Sequence, residues 1–224
     1  ELQGTKRVLA QSHSISNLNW ILPQCRIARA RSMTAFESSK PPAPYILTDR
    51  LVLKLLKPSA APLMVRFRIE NRHHLGKWEP TRSPQFYTET FWQTQLRVNQ
   101  IDFERGESCC LVVLDRAEQQ VFGVINFTQI TRGTVQSCQL GYSLAQKVEG
   151  QGYMYEALMA AIDYAFSGLG LHRVMANYIP HNQRSANLLA RLGFEIEGRA
   201  RGLLLINGAW EDHVLTAKIN PADT

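Results

Sequence analysis

The chain has 224 residues, of which 45% are hydrophobic, and a formal net charge of +6. A chain of this size can bury one substantial core, so we expect a single domain with residues left over for a tail. No apolar stretch approaches the roughly twenty residues that a membrane-spanning helix needs. Its four cysteines form no Cys-x-x-Cys pair and have no zinc spacing with histidines. We therefore expect reduced thiols, no metal, no membrane partner and a cytoplasmic location.

Positive charge is concentrated at the N-terminus. The first 32 residues hold five lysines and arginines against one acidic residue, which leaves about +2 for the rest of the chain. A domain near +2 is a poor candidate for binding DNA. Three prolines between residues 38 and 44 prevent a helix there. We expect residues 1–44 to form a basic tail, disordered or non-native, with Met33 as the native first residue, and residues 45–224 to form the single domain.

Strand and helix patterns then follow one another along the chain. Strands are predicted at residues 50–56, 108–114, 120–128, 138–144, 171–178, 194–199 and 210–217, and helices at residues 59–70, 85–104, 153–166 and 184–192. The pair Asn207-Gly208 is typical of a tight hairpin before the last strand. Strand runs followed by strand-helix units indicate an α+β fold with a mixed α/β sheet.

Residues 146–153, Gln-Lys-Val-Glu-Gly-Gln-Gly-Tyr, form a short turn between an apolar strand and an apolar helix. Gly150 and Gly152 allow unusual dihedrals and a close approach of the backbone to a ligand. The N–H groups at the helix start are left unpaired, and the helix dipole and Lys147 add positive charge. The turn therefore predicts a phosphate site. It is not a P-loop, because no Gly-Lys-Ser/Thr follows, and it lacks the third glycine of the dinucleotide fingerprint.

Two motifs resemble those of the Gcn5-related N-acetyltransferase (GNAT) superfamily. The turn fits the pyrophosphate loop Gln/Arg-x-x-Gly-x-Gly/Ala, with Lys147 in its first position. About thirty residues later, Asn182-x-x-Ser185 followed by a Leu-Gly-Phe ending resembles the second motif of that superfamily. The resemblance implies a central, mostly antiparallel, splayed sheet flanked by helices. It also implies acetyl-CoA as co-substrate and no metal.

Three further segments narrow the resemblance. Residues 48–53 (Thr-Asp-Arg-Leu-Val-Leu), residues 75–80 (Leu-Gly-Lys-Trp-Glu-Pro) and the hairpin at residues 207–214 are similar to RimJ-type ribosomal-protein-alanine N-acetyltransferases, over residues 45–218. That family implies direct acetyl transfer, in a ternary complex, to the N-terminal α-amine (Ala or Ser) of a small-subunit ribosomal protein. The implied partners are that N-terminus and the small ribosomal subunit or its precursor, with the enzyme a monomer or homodimer.

The resemblance also assigns residues to the cofactor, at the ends of two strands and in the turn between strand and helix. These are Ser143, Leu144, Lys147, Gly150, Gln151, Gly152, Tyr153, Met154, Asn177 and Asn182. Ser185 would protonate the departing thiolate. A purely structural explanation stands beside this one, because Asn182 is well placed to cap a helix and Ser185 falls three residues later.

The residue that accepts the amine proton is less clear. Related enzymes often carry a glutamate at the positions of Asn177 or Leu204, and this chain has neither. An α-amine is about a tenth neutral at pH 7 and a lysine only about 0.04%, so an α-amine needs less help. Glu79 and Asp212 are the candidate carboxylates, and Trp78 and Asp212 the candidate acceptor contacts. The alternatives are a surface-loop acid for Glu79 and a hairpin acid paired with an arginine for Asp212.

Two other functions remain open at this stage. A small-amine acetyltransferase, for a polyamine or aminoglycoside, would need an acidic pocket, which Glu79, Glu211 and Asp212 could supply. A CoA-binding module in ribosome assembly or regulation would use the basic tail to contact RNA. The histidines are expected to be structural or substrate-facing, since none has zinc spacing on one helix face.

Overall fold

The computed structural model describes residues 42–223, so most of the predicted tail, including Met33, lies outside the described residues. Residues 42–44 enter the first strand without regular structure. The strands are β1 Tyr45–Leu47, β2 Leu51–Lys54, β3 Cys109–Asp115, β4 Val121–Thr131, β5 Ser137–Leu144, β6 Arg173–Tyr178, β7 Glu195–Ile206 and β8 Ala209–Ile219. The helices are α1 Ala61–Glu70, α2 Arg72–Leu75, α3 Glu89–Glu104, α4 Tyr153–Ser167 and α5 Gln183–Arg191.

All the predicted strands and helices are present, with three differences. The short strand β1 and the single-turn helix α2 were not predicted. The predicted helix at residues 85–104 is divided: a 3-10 turn at Pro84–Tyr87 precedes α3, and the Thr88 side chain caps α3 by accepting from Phe91 N at 3.3 Å. The Asn207-Gly208 hairpin is confirmed, with φ of 46° and 83°. It joins two strands that are both longer than predicted.

One eight-stranded sheet, in the order β1-β2-β3-β4-β5-β6-β8-β7, forms the centre of the described chain. Every neighbouring pair is antiparallel except β5 and β6. These two strands pair in parallel over only three positions, from Ser137↔Arg173 to Gln139↔Met175, and then separate. The predicted mixed, mostly antiparallel and splayed sheet is confirmed. A gap between two strands at their C-terminal ends is a common place for a ligand in α/β sheets.

Helices cover both faces of the sheet and bury two cores. Helix α4 contributes Met154, Leu158, Ile162 and Ala165 to the core on one face, and all four are buried. Met64 of α1 and Trp92 of α3 belong to the core on the other face. The layers therefore fix α1 and α4 on opposite sides of the loop that follows β5. No helix in the described part of the chain is long and apolar enough to cross a membrane.

Candidate active site

The loop between β5 and α4 presents a row of unpaired backbone donors. A 3-10 turn at Gln146–Val148 leads to Gly150 and Gly152, with φ of 74° and 80°, and Gly152 is the N-cap of α4. Within residues 42–223, no acceptor takes a hydrogen bond from the backbone N–H groups of residues 150–155. An ordinary helix start leaves four such groups, and the two left-handed glycines extend the row. Because the helix dipole adds positive potential, the loop is suited to an anion.

Side chains from distant elements hold this loop in place. Gln146 N donates to Asn71 Oδ1 at 2.9 Å, and Asn71, only 4% exposed, donates from Nδ2 to Phe67 O at 2.8 Å. At the other end, Arg50 Nη1 donates to Gln151 O at 3.0 Å. The loop is thus tied to the end of α1 and to the start of β2. Neither contact was predicted from the sequence.

Charged side chains surround the loop as ion pairs. Lys147 Nζ lies 3.4 Å from a carboxylate oxygen of Glu70, and both side chains are nearly half exposed. Glu149 pairs with Arg184 of α5 and lies 3.3 Å from His74 Nε2. Lys147 and Arg184 are exposed side chains, and ion pairs at the surface are weak. A bound anion could therefore replace the carboxylate that each of them contacts.

The separated ends of β5 and β6 carry three predicted cofactor residues. Ser143 and Leu144 pair with β4 on one side, opposite Val124 and Gly123, and have no partner on β6. A Cβ on Gly123 would lie 2.4 Å from Ser143 O, so only glycine permits this close strand packing. Asn177 lies beyond the last β5–β6 pair, on the edge of the gap. The gap is therefore open to an extended ligand lying between the strands.

Ser185 lies in the first turn of α5 and faces β5. Asn182 Oδ1 accepts from Ser185 N at 3.2 Å, so the predicted helix cap is present. Ser185 Oγ is 2.7 Å from the hydroxyl of Tyr142. Burial raises the pKa of Tyr142 to about 12 and the bond to Ser185 lowers it in part, so Tyr142 is a neutral phenol at neutral pH. When Tyr142 donates to Ser185 Oγ, the serine proton is free to be donated elsewhere.

Glu79 is anchored by arginines. Arg68, 7% exposed, donates from Nη1 to Glu79 Oε1 at 3.0 Å, whereas the more exposed Arg82 lies 3.4 Å from Oε2. Burial lowers the pKa of Arg68, and the carboxylate of Glu79 opposes that shift. The Phe67, Phe86 and Trp92 rings lie against this guanidinium. One oxygen of Glu79 is therefore fixed from within the core and the other faces outward.

The loop that carries Trp78 and Glu79 contacts both the connection between β6 and α5 and the β7–β8 hairpin. The Trp78 ring lies 5.6 Å from the ring of His181, in the connection between β6 and α5. Asn207 N, at the tip of the β7–β8 hairpin, donates to Glu79 O at 3.3 Å. The structure thus brings the predicted acceptor loop, the α5 start and the hairpin together.

Asp212 has a different environment. Its carboxylate accepts from Gly202 N at 2.8 Å and from Arg199 Nη2 at 3.0 Å. These bonds lower its pKa, the Gly202 bond most. They stabilise a bulge in β7. Ala200 pairs with His213 and Leu204 pairs with Glu211, so β7 has two more residues than β8 between these pairs. The arrangement matches the structural explanation considered for Asp212, a hairpin acid paired with an arginine.

Four side chains that shape the site were missed in the sequence: Arg50, Arg68, Asn71 and Tyr142. Only Arg50 had a signal, because it belongs to the Thr-x-Arg-Leu opening at residues 48–51. The other three act through contacts between distant segments. Within residues 42–223, no three His, Cys, Asp or Glu side chains are grouped so that they could hold a metal ion.

Comparisons with known proteins agree with this geometry. A family model described as an acetyltransferase (GNAT) domain matches residues 50–195. The chain is 44% identical over 183 residues, 82% of its length and 94% of the relative's, to the ribosomal protein uS5-alanine N-acetyltransferase of Escherichia coli.

Solved structures show the same relationship. The ribosomal-protein-S5-alanine acetyltransferase of Vibrio fischeri has 40% identity and a TM-score of 0.76, covering 79% of this chain and 97% of its own. RimJ of Mycobacterium smegmatis, solved with CoA-disulfide, has 27% identity and a TM-score of 0.72, covering 77% of this chain and 83% of its own. The chain therefore belongs to the GNAT acetyltransferase family.

Proposed function

We propose that this enzyme transfers acetyl from acetyl-CoA to the N-terminal α-amine, Ala or Ser, of a small-subunit ribosomal protein in the cytoplasm. The row of unpaired N–H groups at residues 150–155, beside the gap between β5 and β6, is the observation that carries the cofactor assignment. The acceptor rests on the relatives, two of which are named for the alanine of ribosomal protein uS5.

Cofactor binding uses the loop and the gap. Acetyl-CoA supplies an activated acyl group together with a pyrophosphate that the backbone can recognise. The N–H groups of residues 150–154 would bind the pyrophosphate, with Lys147 adding charge. Ser143, Leu144 and Asn177, at the gap, and Asn182, at the start of α5, would contact the pantetheine arm. A backbone N–H in this gap could also polarise the thioester carbonyl.

Ser185 is the residue proposed to supply a proton. The acceptor nitrogen forms a bond to the acyl carbon, the carbon–sulfur bond breaks, and the departing thiolate takes the hydroxyl proton of Ser185. The Tyr142 hydroxyl lies 2.7 Å from Ser185 Oγ and is a neutral phenol at neutral pH, so it could donate to Ser185 Oγ. In that direction the hydrogen bond would orient the serine so that its own proton points away from Tyr142.

The acceptor amine must lose a proton, and Glu79 is the proposed base. Its Oε1 is held by buried Arg68, while Oε2 has only the more exposed Arg82 nearby. An α-ammonium could replace Arg82 at Oε2, and Trp78 in the same loop would contact the peptide. Because an α-amine is already about a tenth neutral at pH 7, a carboxylate shared with arginine is sufficient help.

The charge pattern disfavours the small-amine alternative. Glu79 is shared by two arginines and Asp212 is paired with Arg199, so two of the three candidate carboxylates are already neutralised. A polyamine carries several positive charges and would meet arginine at both of these positions. The contact between Tyr142 and Ser185, both half-buried, favours catalysis over a purely regulatory CoA-binding role, because a binding module has no need of a positioned proton donor.

Acceptor choice tests the proposal directly. An Ala-starting peptide should be acetylated by this enzyme with a kcat/KM at least 100 times that of an internal-lysine peptide at pH 7, because protonation alone gives a ratio of that order. Release of CoA from acetyl-CoA is the measurement, with an N-terminally blocked peptide as control. Equal rates for spermidine or the lysine peptide would refute the assignment.

Gly152 tests the cofactor loop. Gly152→Ala should weaken CoA binding about tenfold, because φ of 80° is strained for alanine and the N–H row would shift. Gly133→Ala is the matched control, with φ of 75° in the turn between β4 and β5. Calorimetry should show both variants similarly destabilised and only Gly152→Ala impaired in binding. Equal CoA affinities would contradict the loop assignment.

Ser185 and Tyr142 test the proton donor. Ser185→Ala should lower kcat about 100-fold, as loss of a general acid does, and leave the CoA dissociation constant within about twofold. Tyr142→Phe should show a smaller loss, near tenfold, because the serine keeps its proton but loses its orienting bond. Ser167→Ala, at the exposed end of α4, is the control. Steady-state kinetics with unchanged kcat for Ser185→Ala would remove the acid role.

Glu79→Gln tests the base. The variant keeps a hydrogen-bond acceptor for Arg68 but deletes the charge, so kcat/KM for the peptide should fall about tenfold, mainly below the amine's pKa of about 8. Glu197→Gln, which also removes a carboxylate from an arginine, Arg173, is the control. A pH profile that overlays the wild type would assign the proton to water or to another carboxylate.

A further inference from the structure

Arg50 makes three contacts with the loop after β5 and the first turn of α4. Its Nε donates to Glu156 Oε2 at 2.6 Å, and its Nη1 donates to Gln151 O at 3.0 Å. Its guanidinium carbon lies 4.2 Å from the centre of the Tyr153 ring. The side chain is 44% exposed, so Arg50 is not needed to fill a core. It joins the start of β2 to the first turn of α4.

Glu156 holds Arg50 from within α4. Its Oε1 accepts from Thr48 Oγ1 at 2.6 Å and from Arg50 N at 2.9 Å. Burial acts to raise the pKa of Glu156, but the bonds from Thr48 and Arg50 outweigh burial and the pKa is lowered. The carboxylate is therefore ionised at neutral pH and the arginine is held by a charged partner. Thr48, Arg50 and Glu156 form a clamp, which we call the Arg50 clamp.

The Arg50 clamp bonds to the peptide group between Gln151 and Gly152, and the direction of that group matters for the loop. The peptide bonds of the described chain are all trans, so the carbonyl of Gln151 and the N–H of Gly152 point in opposite directions within their peptide plane. Because the carbonyl faces Arg50, the N–H faces away from Arg50. A Cβ on Gly152 would lie 3.5 Å from Arg50 Nη2, which places the guanidinium close along the loop. Arg50 therefore sets which way a central member of the unpaired N–H row points.

We propose that Arg50 is a positioning residue for the pyrophosphate of CoA: it fixes the peptide between Gln151 and Gly152 so that the loop N–H groups face the anion. The inference rests on the proposed use of acetyl-CoA. It assigns a role to the Thr-x-Arg opening of the domain, which lies about 100 residues before the loop it orients. A direct contact between Arg50 and a CoA phosphate is the competing role, because Arg50 also lines an open groove of about 560 Å³ beside α4.

The experiment compares Arg50→Ala and Arg50→Lys with a matched control, Arg116→Ala. Arg116 also donates to a backbone carbonyl of the same opening segment, Thr48 O at 3.0 Å, but none of its contacts is with the loop. Calorimetry gives the dissociation constants for CoA and dephospho-CoA. Kinetics use acetyl-CoA and S-acetylpantetheine, which lacks the pyrophosphate. Thermal unfolding of each variant reports folding separately.

Both Arg50 variants should raise the dissociation constant for CoA and the KM for acetyl-CoA roughly tenfold. The value of kcat at saturating acetyl-CoA, the KM for the peptide and the kcat/KM with S-acetylpantetheine should stay within about twofold of wild type. Lysine should not rescue the loss, because it cannot reach Glu156 and Gln151 O together. Glu156→Gln, which keeps the shape of the clamp, should produce the same selective loss.

Three results would overturn the inference. An unchanged CoA affinity in Arg50→Ala would remove the role, and equal losses with S-acetylpantetheine would make it a general structural one. A loss that disappears with dephospho-CoA, or that lysine restores, would make Arg50 a direct phosphate ligand. If the wild-type enzyme itself does not bind CoA, the proposed function fails first, which separates the two failures.

Discussion

The separation of β5 and β6 after three paired residues is the constraint on which the site depends. A sheet that stayed paired would close the gap and satisfy the backbone groups that a ligand must meet. Because the strands diverge, β5 ends beside a loop with free N–H groups, and β6 ends beside α5, which carries Ser185. One irregularity in the sheet therefore places a row of free N–H groups at one strand end and the Ser185 hydroxyl near the other.

Residues that precede β3 in the chain hold the loop that follows β5. Arg50 at β2 and Asn71 at the end of α1 bond to opposite ends of the loop, at Gln151 O and Gln146 N. Arg68 of α1 pairs with Glu79 in the loop before α3. The elements that precede the two superfamily motifs thus do more than complete the sheet: they hold the glycine-bearing loop and the Trp78-Glu79 loop against the core.

Local patterns predicted much of this structure. The glycine spacing predicted the loop, the Asn-x-x-Ser spacing predicted the α5 cap, and Asn207-Gly208 predicted the hairpin, because each depends on backbone conformation within a few residues. The contacts of Arg50 and Asn71 with the loop and with α4 join residues 75 to 106 positions apart. Such pairs are set by how helices pack on the sheet, which no local pattern contains.

Hydrogen exchange of the loop amides tests the central claim, that unpaired N–H groups after the β5–β6 gap bind the cofactor's pyrophosphate. Amides of residues 150–155 should exchange quickly in the free protein, since they are not hydrogen-bonded, and markedly more slowly with saturating CoA. Pantetheine, which has no pyrophosphate, should leave them fast. Protection of these amides that is the same with pantetheine as with CoA, or no protection with CoA, would contradict the claim.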